Sequence, residues 1–277
     1  MTNVTNESVE NGASSKGSNV FAALTIVICI VIGILIWKFV MGHPSNFENN
    51  DPEGHPLPGN YLGMVYKGGY IVPVLMGLLL MALVFSIERF FVIGKAAGKA
   101  NVEKFVKNVQ TLVAQGKVDE AIAECDAQEG SVANVVRAGL TKYQEVKKEG
   151  FDSEKATETI QKEIEEATSL EMPMLEKNMT IIATLVSIGT LMGLLGTVSG
   201  MIKAFSGLAA AGAPDQAALA TGISEALINT ATGIGTSTLA IISYNLFTSK
   251  IDKLTYSIDE AGFAITQAYR RMKGKAA

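Results

Sequence analysis

The sequence predicts an all-α, polytopic membrane protein of four spans, with long helices continuing into a cytoplasmic helical domain. Four runs carry no charged residue, 20–37, 68–87, 178–202 and 226–249, and each matches the roughly 20 residues needed to cross about 30 Å of hydrocarbon. The polar middle repeats its apolar residues at three- and four-residue intervals, the period of a helix and not of a strand. Lysine and arginine gather between Arg89 and Lys177 or after Phe247, leaving only Lys16, Lys38, Lys67 and Lys203 elsewhere. Both basic regions are therefore expected on the cytoplasmic side.

Residues 1–19 are polar and hold Lys16 as their one base. No small-residue cleavage site follows the apolar run, so 20–41 reads as an uncleaved span behind a cytoplasmic tail. An even number of spans puts both termini inside. Residues 42–67 contain Pro44, Pro52, Pro56 and Pro58 with several Asn and Gly, a composition that favours an irregular, extended outer loop. The second span, 68–93, delivers Glu88 and Arg89 to the cytoplasm.

The cytoplasmic domain, 94–178, places Phe105, Val109, Leu112 and Val113 on one helical face and Val118, Ile122 and Cys125 on another. Gly116 and Gly130 punctuate it. Asp152, Ser153 and Glu154 supply helix-start chemistry. Ile160, Ile164, Ala167, Leu170 and Met174 then follow at helical spacing. That helix is expected to run on into the third span, 179–207, with a bend at Pro173. An outer loop, 208–216, leads to the fourth span, 217–249, and to a cytoplasmic C-terminal helix, 250–277.

Composition excludes several functions. The net charge of −4, with both signs interspersed, leaves no electrostatic footprint for nucleic acid. The two histidines, His43 and His55, lie in the proline-rich loop without a nucleophile or phosphate loop beside them, which argues against an enzyme. Cys29 and Cys125 sit in settings too different to pair, and no metal-ligand spacing or cofactor motif is present.

The polar residues of the last two spans are the candidate functional groups. At 100° per residue Thr221, Glu225, Asn229, Thr232, Thr236 and Ser243 project within about 40° of one direction, and Thr230 with Ser237 forms a second stripe about 120 to 140° away. Ser187, Thr190 and Thr197 share a side of the third span. Hydroxyls of this kind either line a polar pathway or bond back to carbonyls of their own helix. Glu225 either faces a polar interior or sits at the outer interface beside a helix N-terminus. The run Gly193-Leu-Leu-Gly196-Thr197-Val-Ser-Gly200 lies inside a span, so its glycines suit close helix approach and not phosphate binding.

Gly193-Leu-Leu-Gly-Thr197-Val-Ser-Gly-Met-Ile202, then Gly222-Ile-Ser-Glu225-Ala-Leu-Ile-Asn-Thr230-Ala, then Tyr244-Asn245-x-Phe247, resembles the ExbB/TolQ/MotA family of inner-membrane motor subunits. The resemblance extends over about 66–271 and leaves the first span outside it as an N-terminal addition. It implies a multi-pass protein of the bacterial inner membrane that forms a ring, typically a pentamer. The ring would enclose single-span ExbD-like partners carrying an aspartate. The positions matching the family's threonines, Thr197 and Thr230, would line the interior, Glu225 would be functionally important, and proton flow would drive a TonB-like protein that opens outer-membrane receptors. A TolQ-like envelope role and a MotA-type stator share the same pathway, and a passive scaffold is the alternative outside the family. Thr190 and Leu239 stand where many members carry proline. The oxygens of Thr190, Thr232, Thr236 and Ser237 raise sodium as an alternative ion, because hard cations favour oxygen ligands.

Overall fold

The computed structural model describes residues 22–210 and 216–274. The tail 1–19, the first residues of span 20–41, most of the loop 208–216 and the last three residues lie outside that range. Every regular element among the described residues is helical, and the pairing of Phe47 with Pro56 is a single isolated bridge. Among the described residues four helices are long and apolar enough to cross a membrane. The protein is thus an all-α polytopic membrane protein. It divides into two compact units, one holding the chain up to Ser86 with Thr180–Tyr244, the other Ile87–Met179 with the chain from Asn245.

In the first unit, α1 (Ala22–Met41) packs on the start of α3 (Val72–Ala96). Gly33 makes this approach possible, because a Cβ there would lie 2.8 Å from both the Gly77 amide nitrogen and the Pro73 carbonyl oxygen. The last turn of α1 widens to a π-helix over Ile36–Met41 and closes with Gly42 N donating to Trp37 O at 2.9 Å.

The segment 42–67, expected to be irregular, is stapled together. Buried Asn46 donates to the carbonyls of Val40 and Met41 at 2.8 and 2.9 Å and accepts from Asn60 at 3.0 Å. Asn60 in turn caps a short helix, α2 (Tyr61–Tyr66), by accepting from Gly63 N. The Trp37 ring stacks on Tyr66 at 4.7 Å and its indole donates to the Tyr66 carbonyl at 3.3 Å. Prolines restrict this chain locally, yet side-chain amides and stacked rings order it in spite of them.

The core of the first unit is the pair of α8 (Met179–Ala210) and α9 (Gln216–Gly274). Gly189, Gly193 and Gly200 of α8 meet Gly233, Ser237, Gly222 and Ala226 of α9 so closely that added Cβ atoms would fall 2.6–3.1 Å from neighbouring atoms, mostly backbone. Small residues in this register are what lets two membrane helices touch along their backbones.

The second unit contains α4 (Val102–Ala114), α5 (Val118–Gln128), α6 (Gly130–Glu149), α7 (Ser153–Glu176) and the later part of α9. Phe105, Val109, Val113, Val118 and Cys125 are buried, whereas Leu112 and Ile122 are only partly covered. The α7 face keeps Ile160 and Ile164 inside but leaves Leu170 and Met174 exposed, with Leu175 buried in their place. Tyr143 and Tyr269 meet edge to face at 5.1 Å, and the Tyr269 hydroxyl donates to the Val146 carbonyl.

The helix expected to continue from α7 into the third span is interrupted. Lys177 has ψ 140° and Asn178 has φ 61°, so α7 stops at Glu176 and α8 begins at Met179. The stop leaves the carbonyls of the last turn of α7 without helical N–H partners, and they find another donor. Buried Arg89 donates to the carbonyls of Met174 and Leu175 at 3.1 and 3.3 Å while pairing through two nitrogens with Glu88.

Candidate functional site

The sequence-derived candidates separate into two groups on different flanks of the α8–α9 pair. On one flank hydroxyls face each other across the two helices. Thr197 of α8 and Thr230 of α9 share a hydrogen bond, and Thr190 donates to Ser237 at 2.8 Å. Each hydroxyl of the first couple also lies within reach of a carbonyl of its own helix, Thr197 of Gly193 at 3.3 Å and Thr230 of Ala226 at 3.1 Å, so whichever threonine donates across the pair gives up its bond to its own helix. An open groove beside Thr197 is otherwise lined by Val198, Met201, Ile202, Phe205 and Ser206. It therefore offers hydroxyls in an apolar wall and no charged group of its own.

Glu225 lies on the other flank, about 140° from Thr230 by helical geometry. It is well inside α9 and only 6% exposed. It forms an ion pair with Lys203 of α8 at 2.7 Å. Gly69, at φ +80°, turns the chain directly against the carboxylate, where a Cβ would collide with Oε1. One turn on, Asn229 donates to the Gly68 carbonyl at 2.8 Å, and its Oδ1 is buried without a partner. Thr232 and Thr236 belong to neither network, since their hydroxyls donate to the carbonyls of Ile228 and Thr232 at 2.8 and 2.9 Å. Thr221 likewise bonds back to Ala217.

Sequence reasoning paired Glu225 with no residue, and Lys203 is the group it missed. The available signal was a lone lysine one position beyond a charge-free span, opposite a lone glutamate two turns into the next. Among the described residues no three His, Cys, Asp or Glu side chains converge as a metal site.

Residues 127–260, which hold both flanks, match the model of the MotA/TolQ/ExbB proton channel family. The match takes in just under half of the chain. Over 194 residues the chain is also 28% identical to the Tol-Pal system protein TolQ of Pseudomonas aeruginosa, an alignment covering 69% of this chain and 84% of that protein. Chemically, a hydroxyl couple beside an apolar groove can pass a proton between hydrogen-bonded oxygens. It is not a means of storing one, because hydroxyls do not titrate near neutral pH.

Proposed function

We propose that this protein is the ring-forming, ion-conducting subunit of an inner-membrane motor, and that the Thr197–Thr230 couple lies on the proton path. The observation that carries this reading is the hydrogen bond between those two hydroxyls, made across α8 and α9 within the matched region and beside an apolar groove. A path without a titratable group of its own needs one from outside, so the reading includes an ExbD-like single-span partner whose aspartate enters the groove. Protonation neutralises that aspartate and lets it pass the apolar wall. Each charge crossing 100 mV supplies about 2.3 kcal/mol, which repeated cycles turn into motion of the partner. The termini and the second unit lie in the cytoplasm in this scheme, and a ring of five copies surrounds the partner.

Two outputs share this engine. An ExbB-like role delivers the work to a TonB-like protein for outer-membrane uptake, and the span motifs fit it as they fit a TolQ-like role. A TolQ-like role in the cell envelope is favoured by the Pseudomonas aeruginosa relative. Deleting the gene in its host separates them: loss of energised uptake marks the first, and sensitivity to detergent with intact uptake marks the second.

The path itself is tested with Thr197→Val and Thr230→Val together, which keeps shape and removes both hydroxyls. The variant is expected to assemble with its partner and to take up protons into energised vesicles at least about tenfold more slowly, a barrier change near 1.4 kcal/mol. Unchanged uptake would remove the couple from the path.

A further inference from the structure

Glu225 is a buried carboxylate on the flank away from the hydroxyl couple, and everything it touches holds elements together. Lys203 ties it to α8 at 2.7 Å, and Gly69 seats it against the turn that precedes α3. Asn229 grips the neighbouring Gly68 carbonyl at 2.8 Å. The Lys203 ammonium also stands 5.9 Å from the ring centre of Tyr70, the next residue along. The same turn continues back into Tyr66, whose ring and carbonyl are held by Trp37 of α1. These contacts form one chain running from α8 and α9 through residues 66–70 to the first span.

We propose that Lys203, Glu225 and Asn229 form a latch that fastens the α8–α9 pair to the Gly68–Gly69 turn and, through Tyr66 and Trp37, to the first span. Glu225 then serves ion movement by position and not by carrying the proton, and Lys203 is a positioning residue acting through it. The additional first span acquires a role as the far anchor of the latch.

The two charges are unequally placed, and this yields a test. The Lys203 side chain is 49% exposed and the Glu225 side chain 8%. Freed of its partner, Lys203 can swing its long stem toward water. Glu225 cannot, and a buried ion left alone is far more damaging than a pair removed as a pair. In the full complex in vesicles, Lys203→Met is therefore expected to lower proton uptake about tenfold or to prevent assembly, and Glu225→Gln about threefold or less. The double variant Lys203→Met with Glu225→Gln is expected to recover from the lysine single, and Lys203→Arg, which keeps the charge, to stay close to wild type. The reverse ranking would overturn the latch: Glu225→Gln without uptake, and the double variant no better. Normal uptake by Lys203→Met would overturn it as well.

The inference rests on the proposed conducting role only for the uptake readout. Thermal unfolding of the purified variants reads the Lys203–Glu225 coupling directly, and additive losses there would end the proposal whatever the uptake. Unchanged uptake in the Thr197 and Thr230 variant would defeat the hydroxyl path and leave this coupling standing.

Discussion

Asn229 donates one amide hydrogen to the Gly68 carbonyl, 161 residues earlier, at 2.8 Å, and leaves its own Oδ1 buried and unpaired beside it. The side chain is fully buried, and its Cβ and Cγ fill the space that the missing side chain of Gly196 leaves open. Asn229→Asp keeps that shape but sets an acceptor, charged when ionised, against the Gly68 carbonyl. It should lower the thermal midpoint of the purified protein more than Asn229→Ala does, since Ala forfeits only a bond and an unmet carbonyl of about 1–3 kcal/mol. Equal midpoints for the two variants would show that the bond to Gly68 contributes little.

The glycine contacts make a sharper steric prediction. A methyl at Gly233 would sit 2.6 Å from the Gly189 carbonyl oxygen and 2.7 Å from the Gly193 Cα, both backbone atoms that cannot rotate aside. Gly233→Ala should force α8 and α9 apart at a cost of about 1–3 kcal/mol and weaken the Thr197–Thr230 contact. Gly235, two residues on, faces open space. Gly235→Ala should leave the fold of the chain intact or gain about 0.5–1 kcal/mol from helix propensity. Detergent-solubilised melting curves of the two variants give the comparison.

Arg89 closes the C-terminal end of α7. It is 1% exposed and supplies the donors that the Met174 and Leu175 carbonyls lack once the helix has stopped. Arg89→Leu leaves those carbonyls without a donor and Glu88 with only the Asn178 amide, and should cost on the order of 3–5 kcal/mol. Arg89→Lys retains the charge without the fork that spans Glu88 and two carbonyls, so its loss should be intermediate. Protease sensitivity near Lys177 and Asn178 is the measurement, and cleavage in Arg89→Lys equal to wild type would mean that charge alone suffices.

The parts of this structure legible in the sequence were those set by one-dimensional spacing. Charge-free length marked the spans, the three- and four-residue period marked the buried faces of α4 and α5 except at Leu112 and Ile122, and helical geometry separated Glu225 from Thr230. What escaped depended on two segments meeting. Lys203 meets Glu225 only because glycines set the register of α8 on α9, and no local pattern carries that register. The order of 42–67 was hidden for a different reason. Asn46 bonds to the carbonyls of Val40 and Met41, and every residue has a carbonyl, so no side-chain signal announces the acceptor. The break after α7 was half visible: Pro173 promised a disturbance, but the positive φ of Asn178 and the capping Arg89 decided that it would be a stop and not a bend.

Cys125 gives a prediction in pH. It is 2% exposed on α5, and burial, assisted by the Asp126 charge, pushes its thiol up to about 12 from 9.0. The folded protein therefore holds this proton more tightly than the unfolded chain does. The stability that follows is complete below the unfolded pKa and is lost as pH rises through the folded one, at about 1.4 kcal/mol per pH unit between roughly 9 and 12. Cys125→Ala, which has no thiol to ionise, should lose stability more gently than wild type over that window in denaturant titrations. Its lower stability at neutral pH would come from the lost packing of the sulfur. At pH 8 the wild-type thiol should resist maleimide until denaturant is added, because a buried neutral thiol is a poor nucleophile. Rapid labelling of the native protein at that pH, or parallel alkaline curves for the two proteins, would show that Cys125 is neither sealed nor linked to folding in this way.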